Sequence, residues 1–156
     1  MANSDYYTLK GYALKNPGPV TGAMEDYLEM ICRMEGNGVQ VRIGSLAAEL
    51  HVRPSSASKM VSHLRELGLI RFEPYGAVVY LTPPGRELGE YLLWRHQVLH
   101  RFLCRVNRTE NELELAEKIE HFLDRRTVEN LARLMRELYP EEDCKSPPVQ
   151  IGRAHV

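Results

Sequence analysis

Ile43-Gly44-Ser45-Leu46-Ala47-Ala48-Glu49-Leu50-His51-Val52-Arg53-Pro54-Ser55-Ser56-Ala57-Ser58-Lys59-Met60-Val61-Ser62-His63-Leu64-Arg65-Glu66-Leu67-Gly68 is the stretch that decides the fold. Ile43 to Leu50 has the length of a short helix, with Ser45 as an early cap. His51-Val52-Arg53 is a tight connection. Pro54 then opens a second helix, at a position where its missing N–H costs nothing. Met60, Val61, Leu64 and Leu67 recur at helical spacing, and Gly68 stops the run. Two helices joined by three residues make a helix-turn-helix.

The flanks extend this unit. Before it, Met24 to Met34 forms a helix with Leu28 and Ile31 on its apolar side, ended by Gly36-Asn37-Gly38. After it, Leu69–Phe72 and Ala77–Leu81 are two short β-like runs around Pro74-Tyr75-Gly76, a hairpin. Three helices and a hairpin, in that order, predict a winged helix-turn-helix. An α+β domain without a nucleic-acid role is the alternative. Thr82-Pro83 opens a long fourth helix reaching about Val106. Thr109-x-x-Glu112 has the form of a capping box for a fifth, and Thr127 is placed to cap a sixth, ending near Tyr139-Pro140. The expected fold class is mainly α: an N-terminal extension (1–22), a winged helix-turn-helix DNA-binding domain (23–82), a helical metal-binding and dimerisation domain (83–140) and a flexible tail (141–156).

The 156 residues, 44% of them hydrophobic, suit this size. No apolar run is long enough to span a bilayer, and the first residues lack the order of a signal peptide. A cytoplasmic protein with no membrane partner is expected. The three cysteines, Cys32, Cys104 and Cys144, are far apart and form no Cys-x-x-Cys pair. That argues against a disulfide scaffold or a thiolate zinc site, and Cys32 and Cys104 read as small apolar residues on helices.

A net charge of only −1 hides an uneven distribution. From Val39 to Phe72, Arg42, Arg53, Lys59, Arg65 and Arg71 outweigh Glu49 and Glu66, for a net +3. From Thr109 to Asp143 the balance is −6. The first segment can meet phosphate; the second repels it unless something positive binds there. In the DNA-reading arrangement the helix opened by Pro54 enters the major groove by its N-terminal end. Ser55, Ser56 and Ser58 then allow close approach, Lys59 reaches a base edge or phosphate, and Arg42, Arg53 and Arg65 supply phosphate attraction. Tyr75 sits at the wing tip. Ordinary surface polarity is the alternative for each residue alone.

Glu117-Lys118-Ile119-Glu120-His121 carries the other signal. Positions i, i+3 and i+4 share one helix face, so two carboxylates and an imidazole point the same way. Asp26 and Glu29 repeat the i, i+3 spacing on the first helix, opposite Leu28 and Ile31, and His96 lies on the fourth. Each group alone reads as a solvated face, and spacing does not show that the three helices meet. Brought together, carboxylate oxygens and imidazole nitrogens suit manganese, iron, zinc or cobalt. Their carboxylates would repel one another without a cation.

Read together, Met24-Glu25-Asp26-Tyr27-Leu28-Glu29, Pro54-Ser55-Ser56-Ala57-Ser58-Lys59-Met60-Val61, Trp94-Arg95-His96 and Glu117-Lys118-Ile119-Glu120-His121-Phe122-Leu123 resemble the diphtheria-toxin-repressor family. Within it they resemble the manganese transport regulators, over roughly Met24 to Leu138. The resemblance implies a metal-dependent repressor of metal-uptake genes. It implies a paired-metal site from Asp26, Glu29, His96, Glu117, Glu120 and His121, holding two Mn2+ per chain, with Fe2+, Zn2+, Co2+ or Cd2+ as substitutes in vitro. The iron branch carries methionine at the Asp26 position and cysteine at the Glu117 position; oxygen in place of sulfur favours a harder ion. One departure is His100, where the family commonly has glutamate. Longer members add a Src-homology-3-like domain, for which no residues remain here. The partners implied are double-stranded operator DNA and a second copy of the chain, with Leu131, Leu134, Met135 and Leu138 a candidate dimer surface or core. An iron- or zinc-responsive regulator, a metal-independent winged-helix regulator and, remotely, a di-metal hydrolase are the rival functions. The hydrolase lacks an evident general base or substrate loop.

Overall fold

The computed structural model describes residues 18–73, 75 and 77–142. Most of the extension, Pro74 and Gly76 of the hairpin turn, and the tail from Asp143, with Cys144, lie outside the described residues. The order is α1 (Gly22–Gly36), β1 (Val41–Arg42), α2 (Ile43–Glu49), α3 (Pro54–Glu66), β2 (Ile70–Glu73), β3 (Val78–Leu81), α4 (Pro83–Asn107), α5 (Leu113–Ile119), a 3-10 turn (Glu120–Phe122) and α6 (Arg125–Leu138).

The expected boundaries of α3 and α4 hold for the expected reasons. Pro54 is the first residue of α3, and Gly68 follows its end with φ of +74°. Thr82 caps α4, its Oγ1 accepting from Gly85 N at 3.2 Å. Ser45 closes the start of α2 from inside the first turn, accepting from Arg42 N at 3.1 Å and donating to Arg42 O at 2.9 Å. Two caps differ from expectation. Asp124, not Thr127, caps α6, accepting from Thr127 N at 2.8 Å. The box expected at Thr109 does not close on backbone: the Thr109 hydroxyl donates to Glu112 Oε1 at 2.6 Å, and α5 begins only at Leu113. Helix α1 begins at Gly22, ahead of Met24, because Thr21 caps it.

The hairpin β2–β3 pairs Ile70 with Leu81 and Phe72 with Val79. The two-residue β1, absent from the sequence reading, adds to the other side of β3, giving a sheet of order β1-β3-β2. Leu46, Ala57, Val61, Leu64, Ile70 and Val79 form the core beneath the sheet. Helix α4 leaves this unit and packs along α1, where Leu28, Ile31 and Leu92 are fully buried, each side chain contributing about 1.5–3 kcal/mol. Gly89 makes that approach close, and Gly85 lets the start of α4 press against the chain entering β2. A Cβ at Gly85 would lie 1.8 Å from the Leu69 carbonyl oxygen, and one at Gly89 would lie 2.9 Å from Cys32 Cβ. These contacts set where α4 delivers Arg95 and His96. Cys32 is buried in that contact, as its apolar reading expected.

Candidate metal centre

Three chain segments meet at one end of the α1–α4 contact. Helix α1 brings Asp26 and Glu29, α4 brings His96, and α5 with the 3-10 turn brings Glu117, Glu120 and His121. Asp26 and Glu29 flank the buried stripe rather than opposing it, and Glu29 is only 6% exposed. The change from α to 3-10 geometry after Ile119 turns Glu120 inward, so it is completely buried, while Glu117 stays outermost. His96 Nδ1 lies 2.7 Å from Glu120 Oε2 and 3.6 Å from Glu117 Oε2. His121 Nε2 lies 2.9 Å from Asp26 Oδ1. Donor atoms of Asp26, Glu120 and His121 converge within 4.8 Å of one another, and so do those of Glu29, His96 and Glu120. Glu120 belongs to both triads. Glu117 stands beside them, on the rim of a cleft of about 590 Å³ that also touches Asp26, Glu29 and His96.

The electrostatics are those of a site crowded with one sign of charge. Burial, then the charge of Glu120, pushes the Glu29 carboxyl up to about 7. Glu117 is raised by burial and by Glu120. The imidazoles compensate: the hydrogen bond to Glu120 raises His96, and the close carboxylates of Asp26 and then Glu25 push His121 up to about 10. Without a metal, protons hold this cluster together.

The donors fit a divalent cation on two counts. Glu120 Oε1 is buried with no hydrogen-bond partner, an expensive arrangement for a carboxylate oxygen. Asp26 Oδ1 is likewise buried; His121 Nε2 is near it but outside hydrogen-bond geometry. Both atoms face the triads, and a set of carboxylate oxygens and imidazole nitrogens suits a first-row divalent ion. A complete solvated-face reading is incompatible with a fully buried Glu120.

Two residues in contact with the centre went unassigned in the sequence. Glu25 Oε1 lies 3.1 Å from His121 Nδ1, and Glu25 Oε2 accepts from Arg95 Nη1 at 3.1 Å. Arg95 is 3% exposed and sits over the Tyr91 ring. Neighbours in sequence of Asp26 and His96, they gave no periodic signal of their own. His100 is not part of either triad; its Nε2 lies 3.5 Å from Cys104 Sγ, one turn further along α4.

The other predicted residues lie on the opposite unit. Arg53, Pro54, Ser55, Ser56, Ser58, Lys59 and Arg65 are all exposed along α3, with Ala57 buried between them. Arg42 is exposed at the end of β1, and Tyr75 stands fully in solvent at the wing tip. Along α6, Met135 is core, Leu131 is half-buried, and Leu134 and Leu138 are exposed. No helix among the described residues is long and apolar enough to cross a membrane.

Known proteins agree with this architecture. Residues 20–78 match the family "Iron dependent repressor, N-terminal DNA binding domain". Residues 82–149 match "Iron dependent repressor, metal binding and dimerisation domain". The HTH-type transcriptional regulator MntR of Geobacillus kaustophilus (strain HTA426) is 35% identical over 124 residues, covering 79% of this chain and 86% of that protein. Its counterpart from Lysinibacillus sphaericus (strain C3-41) is 34% identical over 124 residues, covering 79% and 88%. Among solved structures, the manganese regulator SloR superposes with a TM-score of 0.64 at 25% identity, over 72% of this chain and 53% of that one. This chain therefore spans about half the length of that solved relative. With both domain families matched in order, and relatives above 30% identity aligned over most of their length, the chain belongs to the iron dependent repressor family of metal-dependent transcriptional regulators.

Proposed function

We propose that the chain is a manganese-activated repressor that binds two Mn2+ per protomer through Asp26, Glu29, His96, Glu117, Glu120 and His121 and then binds operator DNA as a cytoplasmic homodimer. The observation that carries this reading is the fully buried Glu120, shared by two donor triads and left with an unpaired oxygen. Relatives named as manganese regulators support the choice of ion, as does oxygen where thiolate and thioether would favour a softer one. The working division is residues 23–82 for DNA and 83–140 for metal and dimerisation, between the extension 1–22 and the tail 141–156. Exposed Leu134 and Leu138 on α6 support a subunit contact there. The di-metal hydrolase reading finds no support in homologues that are transcriptional regulators.

Bound cations supply the positive charge that offsets the repulsion among the carboxylates. The side chains do the rest. Asp26 and Glu29 belong to α1, which is packed into the DNA-binding unit; Glu117, Glu120 and His121 belong to the acidic half. When both sets are held on one centre, the two halves are fixed relative to each other, and with them the spacing of the two α3 helices in a dimer. Differential binding of a few kcal/mol is enough to shift the population strongly. Operator affinity measured with saturating Mn2+ and with chelator, at constant ionic strength, tests this. Tighter binding with Mn2+ is the expected result, and equal affinities would refute it.

The groove-facing assignment has its own test. Replacing Arg53 and Lys59 together with alanine is expected to weaken operator binding and to flatten its salt dependence by about two in the log–log slope, one for each lost phosphate contact. An unchanged slope and affinity would remove α3 from the interface.

A further inference from the structure

We infer that Glu25 and Arg95 together fix which nitrogen of His121 is offered to the metal, and so act as positioning residues for the centre. The inference rests on the reading of His121 as a ligand. Glu25 stands between two groups from distant parts of the chain: its Oε2 takes the Arg95 guanidinium at 3.1 Å, and its Oε1 faces His121 Nδ1 at 3.1 Å. Arg95 Nη2 also approaches Nδ1, but at 3.4 Å. An unprotonated Nδ1 would set its lone pair against the nearer carboxylate oxygen. A protonated one donates to it. Nε2 faces Asp26 Oδ1 at 2.9 Å, so a cation taken up by Asp26 and His121 would replace the Nε2 proton and leave the Nδ1 proton that Glu25 accepts. A ligating imidazole oriented by a carboxylate on its other nitrogen is a general device of metal sites.

Arg95 makes the arrangement rigid. It is 3% exposed, rests over Tyr91 and pairs with Glu25. A buried guanidinium separated from its carboxylate is strongly unfavourable. The Tyr91 ring is covered from its other neighbour by Arg125 at 3.7 Å, so α4 and α6 both brace the clasp. On the far side of the imidazole, a Cβ added at Gly22 would lie 3.2 Å from His121 Cγ, which leaves the ring little room to tilt. The His121 ring is thus held in place by protein contacts alone.

The chemistry gives an isosteric test. Guanidinium only donates. In Glu25→Gln the new amide must turn its oxygen to Arg95 and its NH2 to His121, which demands an unprotonated Nδ1 and moves the proton onto Nε2. Mn2+ affinity, read by calorimetry, is expected to fall about 10- to 100-fold, the usual effect of losing such a partner. Adding Arg95→Met removes the donor, lets the amide reverse, and is expected to recover part of the loss. A merely structural role for Glu25 would make the double variant worse, not better. Independently of any variant, long-range 15N–1H NMR of the cadmium-loaded protein is expected to show His121 protonated at Nδ1. Wild-type Mn2+ affinity in Glu25→Gln, or a proton on Nε2 in the cadmium-loaded protein, would overturn the inference. His121→Ala separates the two levels: if it binds Mn2+ like wild type, the ligand assignment itself fails, whereas its loss of binding beside a normal Glu25→Gln sinks only the positioning role.

Discussion

Glu120→Gln is expected to abolish the response to metal while leaving the stability of the metal-free protein close to wild type. The substitution keeps the shape of a fully buried side chain and removes its charge. Because Glu120 serves both donor triads, both lose their shared charged carboxylate and keep at most one neutral amide oxygen between them, and Mn2+ affinity should fall by about 100-fold or more, beyond what loss of an outer partner usually costs. Operator binding in Mn2+ should drop to the level seen in chelator. The charge of Glu120 is also what helps to push Glu29 and Glu117 up. Its removal relieves that repulsion but also takes the charged acceptor from the 2.7 Å contact with His96, so the stability of the apo protein should change by no more than on the order of 1 kcal/mol. Calorimetry and denaturant unfolding of the same variant read the two effects. Normal Mn2+ uptake would remove Glu120 from the site, and an apo stability far from wild type would mean that the repulsion from Glu29 and Glu117 and the pairing with His96 do not offset each other.

Metal affinity should rise steeply with pH. His121, pushed up to about 10, holds a proton at neutrality that a metal ligand must give up, and the bond to Glu120 raises His96 in the same direction. Glu29, at about 7, is partly protonated there. Uptake of metal should release between one and two protons near neutrality, one from His121 and a fraction from Glu29, so the logarithm of affinity should climb by more than one per pH unit between roughly pH 6 and 7. Apo stability moves the other way. The Glu29 carboxyl binds its proton more tightly in the fold than its ordinary 4.5 allows, so its contribution is present below that value and is lost as the pH rises through about 7. His121 contributes fully below 6.5, and that contribution is lost only as the pH rises through about 10. Calorimetry in buffers of different ionisation enthalpy counts the protons. A count of zero would contradict this charge balance.

The DNA-binding unit was legible because its signals are local. Pro54, Gly68 and Thr82 mark ends by chemistry that acts within a turn of themselves, and the hydrophobic spacing of α3 needs no partner to be read. Two-residue β1 has no period to detect and exists only because β3 offers it an edge. Asp124 and Thr127 compete for one cap, and only the chain path into α6 decides. The metal centre was legible as three separate faces, not as a site: helical spacing orients Asp26 with Glu29, and Glu117 with Glu120, but their meeting is tertiary. The 3-10 turn sharpened the outcome by burying Glu120 beyond what an α-helical face would predict. Glu25 and Arg95 were invisible for the same reason, since their partners lie 96 and 70 residues away.

Glu35, at the other end of α1, gives the site its mechanics. Its Oε1 accepts from Leu81 N of the wing at 3.0 Å, and its Oε2 pairs with Arg86 at the start of α4 at 2.6 Å. The C-terminal end of α1 is therefore anchored to the wing and to α4, and Asp26 lies about 13 Å along the helix from that anchor, nine residues at 1.5 Å each. A shift of about 1 Å at Asp26, if taken up by turning α1 about this anchor, would be a rotation of about 4°. Over such a lever, a small adjustment of carboxylate position would count at the wing as an angle and not as a displacement.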